Sequence, residues 1–255
     1  MHPIVKKILS HDLYVPSKRK KSISASSFGN SVQEIILSKR YKSTTDIKLN
    51  CASLLGTGFH LFSEQAVKPG YEFELNDERW RVYGCEKSME TPIGKTGWWL
   101  TGTSDLLVEN LSNLKIRVYD YKTVKDYGLA NNLEKWTIQV GIYALLVKLS
   151  LNLRVDNKST VVYFNKTNEA ASKFAMGYVD LQLPSPEILK KIVLDKVALL
   201  EKYWDVPDDK LICCTNKENW NYNKCRSYCH VANSKHCHQI NSIIENQDQY
   251  NYQIP

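Results

Sequence analysis

The sequence predicts an α/β domain, a central mixed β-sheet flanked by α-helices, followed by a Cys-rich C-terminal segment. Three observations carry that expectation. Segments with strand-like composition lie on both sides of one long stretch of helical periodicity, an order that suits a mixed sheet with helices packed on it. The chain has 255 residues, 43% of them apolar, and its 15 Tyr and 6 Trp supply bulky filling for a substantial core. No apolar run approaches the roughly 20 residues that span a bilayer, and the opening MHPIVKKILSHD lacks the apolar stretch of a secretory signal. A soluble cytoplasmic protein with no membrane partner is expected.

Residues 1–21 form a basic arm around PSKRKK, expected to be partly disordered because ordering it would cost entropy for little apolar gain. The main domain is expected over 22–210. A first helix is expected after Asn30, where Ser31 and Glu34 have capping-box spacing ahead of IIL. A short helix carrying FHLFSEQAV follows LLGTG. YEFELN and ERWRVYGCEKSM read as a hairpin around Asn76–Asp77, and GWWLTGTSDLLVENL with LKIRVYDYKTV as another around NLSN. From Asn132 to Leu149 the apolar residues Leu133, Trp136, Val140, Ala144 and Val147 repeat at three and four, which is helical. STVVYFNKT and FAMGYVDLQL read as two further strands, and Pro184 opens a last helix. The Cys-rich segment occupies 211–238 and a flexible tail 239–255.

One strand breaks the apolar pattern. In LKIRVYDYKTV, Asp120 and Lys122 stand two apart, so an extended chain aims both side chains at one face of the sheet. The neighbouring LTGTSDLLV supplies a second carboxylate, Asp105. If the two strands pair antiparallel, Asp105 and Asp120 come together, repel, and bear a desolvation cost besides. A hard divalent cation such as Mg²⁺ or Mn²⁺ resolves that conflict. The plainer arrangement has Asp105 ending a strand bend and Asp120 paired with Lys122. The net charge of +7 suits a polyanionic partner.

Asp105 in GTSDLL, then YDYKT, then Gln139 and Tyr143 in QVGIYALL resemble the PD-(D/E)xK nuclease superfamily, in particular its RecB-like branch of AddB-type, CRISPR-associated and phage exonucleases. The resemblance covers roughly residues 22 to 240 and implies a restriction-endonuclease-like core. It implies phosphodiester hydrolysis with Mg²⁺ or Mn²⁺ held by Asp105, Asp120, the Tyr121 backbone carbonyl and His60, the last matching the branch's early-helix histidine. Glu64, one turn after His60, is a further ligand or an orienting partner. Lys122 would position water or offset charge on the phosphate. Gln139 and Tyr143, at i and i+4 on one helix face, would stand beside the substrate. The implied substrate is DNA, single-stranded or with free ends, and the implied partners are recombination or replication proteins. A structure-selective or restriction-like endonuclease and a non-catalytic nucleic-acid-binding protein are the alternatives. The branch's stand-alone forms occur in phages and prokaryotes, which would place a viral member in the host cytoplasm.

Relatives in that branch also carry an iron–sulfur staple, one cysteine upstream of the histidine and three after the core. Cys225, Cys229 and the following Cys237 resemble its C-terminal part, and Cys214 with these three would make a local four-thiolate site, with Cys51 and Cys213 as alternates. The usual upstream position, near VQEIILSKRY, has no cysteine. Four thiolates from the C-terminal segment would hold a [4Fe–4S] cluster or Zn²⁺, or stay as free thiols, with His230, His236 and His238 as substitutes. Cys85, in a strand, reads as a small buried residue.

Overall fold

The computed structural model describes residues 19–41, 47–165, 176–219, 224, 225, 229, 231, 236, 237 and 239; the side chains of 47–55, 126, 127 and 130 are not described. Most of the basic arm, nearly all of the tail, the Cys51 side chain, His230 and His238 therefore lie outside the described part of the chain. The chain divides into two compact units. One gathers residues 29–51 with 195–255, and the other spans 14–28 and 52–194.

The second unit contains the sheet. Its strands are β1 (Ser22–Ser24), β2 (Glu72–Leu75), β3 (Glu78–Pro92), β4 (Trp99–Asn110), β5 (Ile116–Val124), β6 (Lys158–Asn165) and β7 (Met176–Gln182). They lie in the order β2-β3-β4-β5-β6-β7, with the short β1 pairing parallel to β4. β5 and β6 are parallel and the other neighbours on this path antiparallel, so the sheet is mixed as expected. A parallel pair needs a crossover, and the helix α3 (Asp126–Ser150) supplies it. β5, central in the sheet, is buried along nearly its whole length, which explains its run of Ile, Val and Tyr.

Asn76 and Asp77 both have left-handed backbones, φ 53° and 61°, the geometry of a tight two-residue hairpin turn between β2 and β3. Trp80, Val82, Leu106, Val108, Tyr119 and Tyr121 form one core cluster, against which Phe59 and Val67 pack. Val124, Trp136, Val140, Val161 and Leu181 form a second, beneath α3.

Three expectations need correction. FHLFSEQAV is only the end of a 20-residue helix, α2 (Ile47–Ala66), whose small residues tolerate helix despite two glycines. α3 begins at Asp126, six positions before the apolar repeat declares itself, because its first turns carry few apolar residues. The last helix, α4, spans Pro186–Tyr203, with Pro186 and not Pro184 at its first position, where a missing N–H costs nothing.

In the first unit, α1 (Val32–Arg40) opens as predicted: Ser31 Oγ accepts the Glu34 N–H at 3.1 Å. The reciprocal half of the capping box is diverted. Glu34 is buried, and its carboxylate takes the Lys224 ammonium at 2.5 Å. Ile35, Ile36, Leu37, Val197, Leu200 and Leu211 supply this unit's apolar core. Arg40 pairs with Asp208 at 2.5 Å, and Tyr41 donates to the same carboxylate at 2.6 Å.

Candidate active site and metal centre

The site grows from the β4–β5 pairing. Leu106 lies opposite Tyr119, so one further step along this register sets Asp105 opposite Asp120. The backbone N–H of Tyr121 donates to Asp105 Oδ2 at 2.6 Å, which fixes one oxygen of that carboxylate. The other, Oδ1, faces His60 of α2, whose Nδ1 lies 3.3 Å away. The imidazole also sits edge-on to the Tyr121 ring, centroids 5.8 Å apart.

Asp120 is 2% exposed. Lys122 Nζ stands 2.5 Å from its Oδ2, yet that oxygen has no well-directed hydrogen bond, so the contact is an ion pair of poor alignment. Gln139 of α3 donates to Oδ1 at 3.3 Å and lies 3.5 Å from the Tyr143 hydroxyl. The plain pairing of Asp120 with Lys122 and the convergence of Asp120 with Asp105 are thus both present. Gly102 of β4 makes the approach of α3 possible: a Cβ there would meet Tyr143 Cε1 at 2.8 Å and Leu146 Cδ1 at 3.0 Å.

The electrostatics follow from this crowding. Burial pushes the Asp120 carboxyl above the ordinary carboxylate range; Lys122 works against that shift and Asp105 adds to it. Burial alone would lower the His60 imidazole, but the carboxylates of Asp105 and Glu86 beside it outweigh that and raise the ring to about 10. Burial, then the charge of Asp120, raises the Tyr143 hydroxyl. The site holds more negative charge than its lysine balances comfortably.

His60, Glu86 and Asp105 bring one ligand atom each within 4.8 Å of one another. An imidazole nitrogen and two carboxylate oxygens form a donor set that suits a hard divalent cation. Asp120 stands next to this group but is not a member of it, and neither is Glu64. Glu86 was missed in the sequence. Its one signal is positional: Cys85↔Leu106 and Lys87↔Ser104 place it across from Asp105 on the third adjacent strand.

In the other unit, Cys225, Cys229 and Cys237 are buried, Cys214 is partly so, and Cys213 is exposed. Burial, with the charge of Glu218 and then of Cys229 and Cys237, pushes the Cys214 thiol up to about 12, against a contact from Ser31 Oγ at 2.9 Å. His236 is engaged elsewhere, stacked on Tyr41 with centroids 3.6 Å apart and 3.2 Å from Asp208. Cys85 donates to the Val67 carbonyl.

A family profile described as the PD-(D/E)XK nuclease superfamily matches residues 48–234. No curated protein matches the chain. Among solved structures, the chain is similar to that titled "Crystal structure of SSO0001", with 17% identity, TM-score 0.50 and 89% of each chain covered. An alkaline exonuclease from Laribacter hongkongensis aligns over 74% of this chain and 92% of its own, with 10% identity and TM-score 0.39. The family match over residues 48–234 shows a restriction-endonuclease-like α/β core. Among the described residues no helix is long and apolar enough to cross a membrane.

Proposed function

Because the chain belongs to the PD-(D/E)XK nuclease superfamily, we propose that it is a metal-dependent deoxyribonuclease, an exonuclease acting on single strands or free ends in recombination, repair or replication. One observation carries the catalytic part: the register sets Asp105 and Asp120 opposite each other on paired strands, with the His60 imidazole on the first carboxylate and the Lys122 amine on the second. His60, Asp105, Asp120 and the Tyr121 carbonyl would hold Mg²⁺ or Mn²⁺. When bound, such an ion polarises a phosphodiester oxygen and lowers the pKa of water. Lys122, freed from part of its pairing with Asp120, offsets negative charge as water adds to phosphorus and the P–O ester bond breaks. The departing oxygen leaves with a proton from solvent. Gln139 orients Asp120 and stands beside the nucleotide, with the buried Tyr143 hydroxyl behind it. The exonuclease reading rests on this Gln–Tyr element, which resembles that of the RecB-like branch.

The four cysteines support a thiolate-bound group. Cys225, Cys229 and Cys237 are buried and Cys214 is partly so, all within one unit of the chain. Cys214, Cys225, Cys229 and Cys237 would hold a [4Fe–4S] cluster, with Zn²⁺ as the alternative occupant of the same thiolates. Iron, sulfide and zinc analysis of protein purified without oxygen tests this.

The function itself is tested with end-labelled linear and closed circular single-stranded and duplex DNA, plus matched RNA, with Mg²⁺, Mn²⁺ or chelator. Metal-dependent loss of linear DNA with circles intact supports the proposal. Cut circles would establish an endonuclease, and binding without cleavage a non-catalytic protein.

A further inference from the structure

We propose that Glu86 is an additional ligand of the catalytic cation, so that the ion is held by carboxylates from three adjacent strands, β3, β4 and β5. The inference rests on the metal-dependent reading of the site and goes beyond the residues its family motif supplies.

Regular alternation does not explain where Glu86 points. The β3–β4 register shifts between Val82 and Gly84, and Glu86 itself has φ 45°, left-handed for a residue with a side chain. Such backbone costs about 1–3 kcal/mol and persists only where its surroundings enforce it. The kink sits between Cys85 and Lys87, opposite Leu106 and Ser104, and so directly across from Asp105. It brings Glu86 Oε1 to 3.9 Å from His60 Nδ1, while Asp105 Oδ1 is 3.3 Å from the same nitrogen.

Those distances decide between a ligand set and a chance cluster. Ligands about 2.1 Å from an octahedral ion stand about 3 Å apart when adjacent and about 4.2 Å when opposite. The two separations from His60 fall between these limits and the third lies within 4.8 Å, so small rotamer adjustments would seat all three atoms on one ion. Glu86 can make them, since its side chain is 38% exposed. Asp120 has less freedom, buried with Lys122 on one oxygen and Gln139 on the other. Asp105 is committed to the Tyr121 amide through Oδ2 alone, which leaves Oδ1 for the group that includes Glu86. A buried carboxylate oxygen without a directed hydrogen bond, Asp120 Oδ2, completes the wall on the β5 side.

The test is Mn²⁺ binding to the full chain in the absence of nucleic acid, followed by the electron paramagnetic resonance signal of free Mn²⁺. Glu86→Gln keeps size and polarity and removes one charged ligand, and affinity follows ligand charge. The expected result is at least about a tenfold rise in Kd for Glu86→Gln, with most of the loss recovered in Glu86→Asp. Asp105→Asn is measured alongside. If Asp105→Asn weakens binding while Glu86→Gln stays within twofold of wild type, the assignment of Glu86 is wrong and the metal site stands without it. If neither variant weakens binding, both the assignment and the metal reading fail. Equal melting of the metal-free variants confirms that a change in Kd is local.

Discussion

Replacing Lys122 by Met removes the amine and keeps most of the stem. In the wild type its Nζ lies 2.5 Å from Asp120 Oδ2, and Asp120 is 2% exposed. Breaking a fully buried ion pair by deleting one partner costs about 3–5 kcal/mol, because the remaining charge is stranded. Here Lys122 is 23% exposed, so water can reach the vacated space, and Gln139 still donates to Asp120. The expected cost is therefore lower, about 2–3 kcal/mol at pH 8. For a chain of this size that is a fall in Tm of about 4–12 °C. The sign of the pH effect is fixed by Asp120. Its folded pKa, already raised, rises further without the amine, so the carboxyl favours folding only while protonated. Destabilisation by Lys122→Met must shrink as pH is lowered from 8 to 5. Asp120→Asn combined with Lys122→Met should recover stability and not activity. Cleavage should fall at least about a hundredfold in the single variant, the usual loss when one charge-stabilising donor is removed. Thermal melts in chelator at both pH values, beside cleavage rates in Mg²⁺ and Mn²⁺, provide the measurements. Wild-type cleavage by Lys122→Met, or a Tm loss equal at pH 8 and pH 5, would rule out this role for the amine.

Two further outcomes test the scaffold. Gly102→Ala forces a methyl against the Tyr143 ring and should destabilise by about 1–3 kcal/mol, with cleavage reduced even well below the new Tm; a neutral result in both assays would mean α3 can shift freely. Asp208→Asn tests the clasp of Arg40, Tyr41 and His236. Burial pushes that carboxyl up, but the Tyr41 hydroxyl and Arg40 outweigh it and hold it below its usual value. Its stabilisation is complete above about pH 4 and drains away as pH falls further, so urea midpoints of the two proteins should differ at pH 6 and converge toward pH 3.

Much of the fold and site was legible in the chain. Asn76–Asp77 announced a turn because few other pairs accept two left-handed residues, and Asp120–Lys122 announced a site because charges rarely interrupt a central strand. Ser31 declared a helix start. The parts that stayed hidden depend on contacts distant in sequence. Glu64 is one helical turn from His60 and so drew attention, whereas Glu86, 26 positions away, reaches the imidazole through strand pairing and a kink that no local pattern encodes. Glu34 fits a capping box by spacing, but Lys224 claims its carboxylate across 190 residues. Gly102 carries no local signal either, since the Tyr143 ring against it comes from a helix about 40 residues on.

The bond from the Tyr121 amide to Asp105 Oδ2 also bears on alignment. In a sheet, sliding one strand past its neighbour by a single residue turns every side chain to the other side. Such a slip between β4 and β5 would separate the two acids and strand both in apolar surroundings. Only the native offset lets this carboxylate reach that amide, so a group suited to chemistry also works as a peg that locks the strands in step.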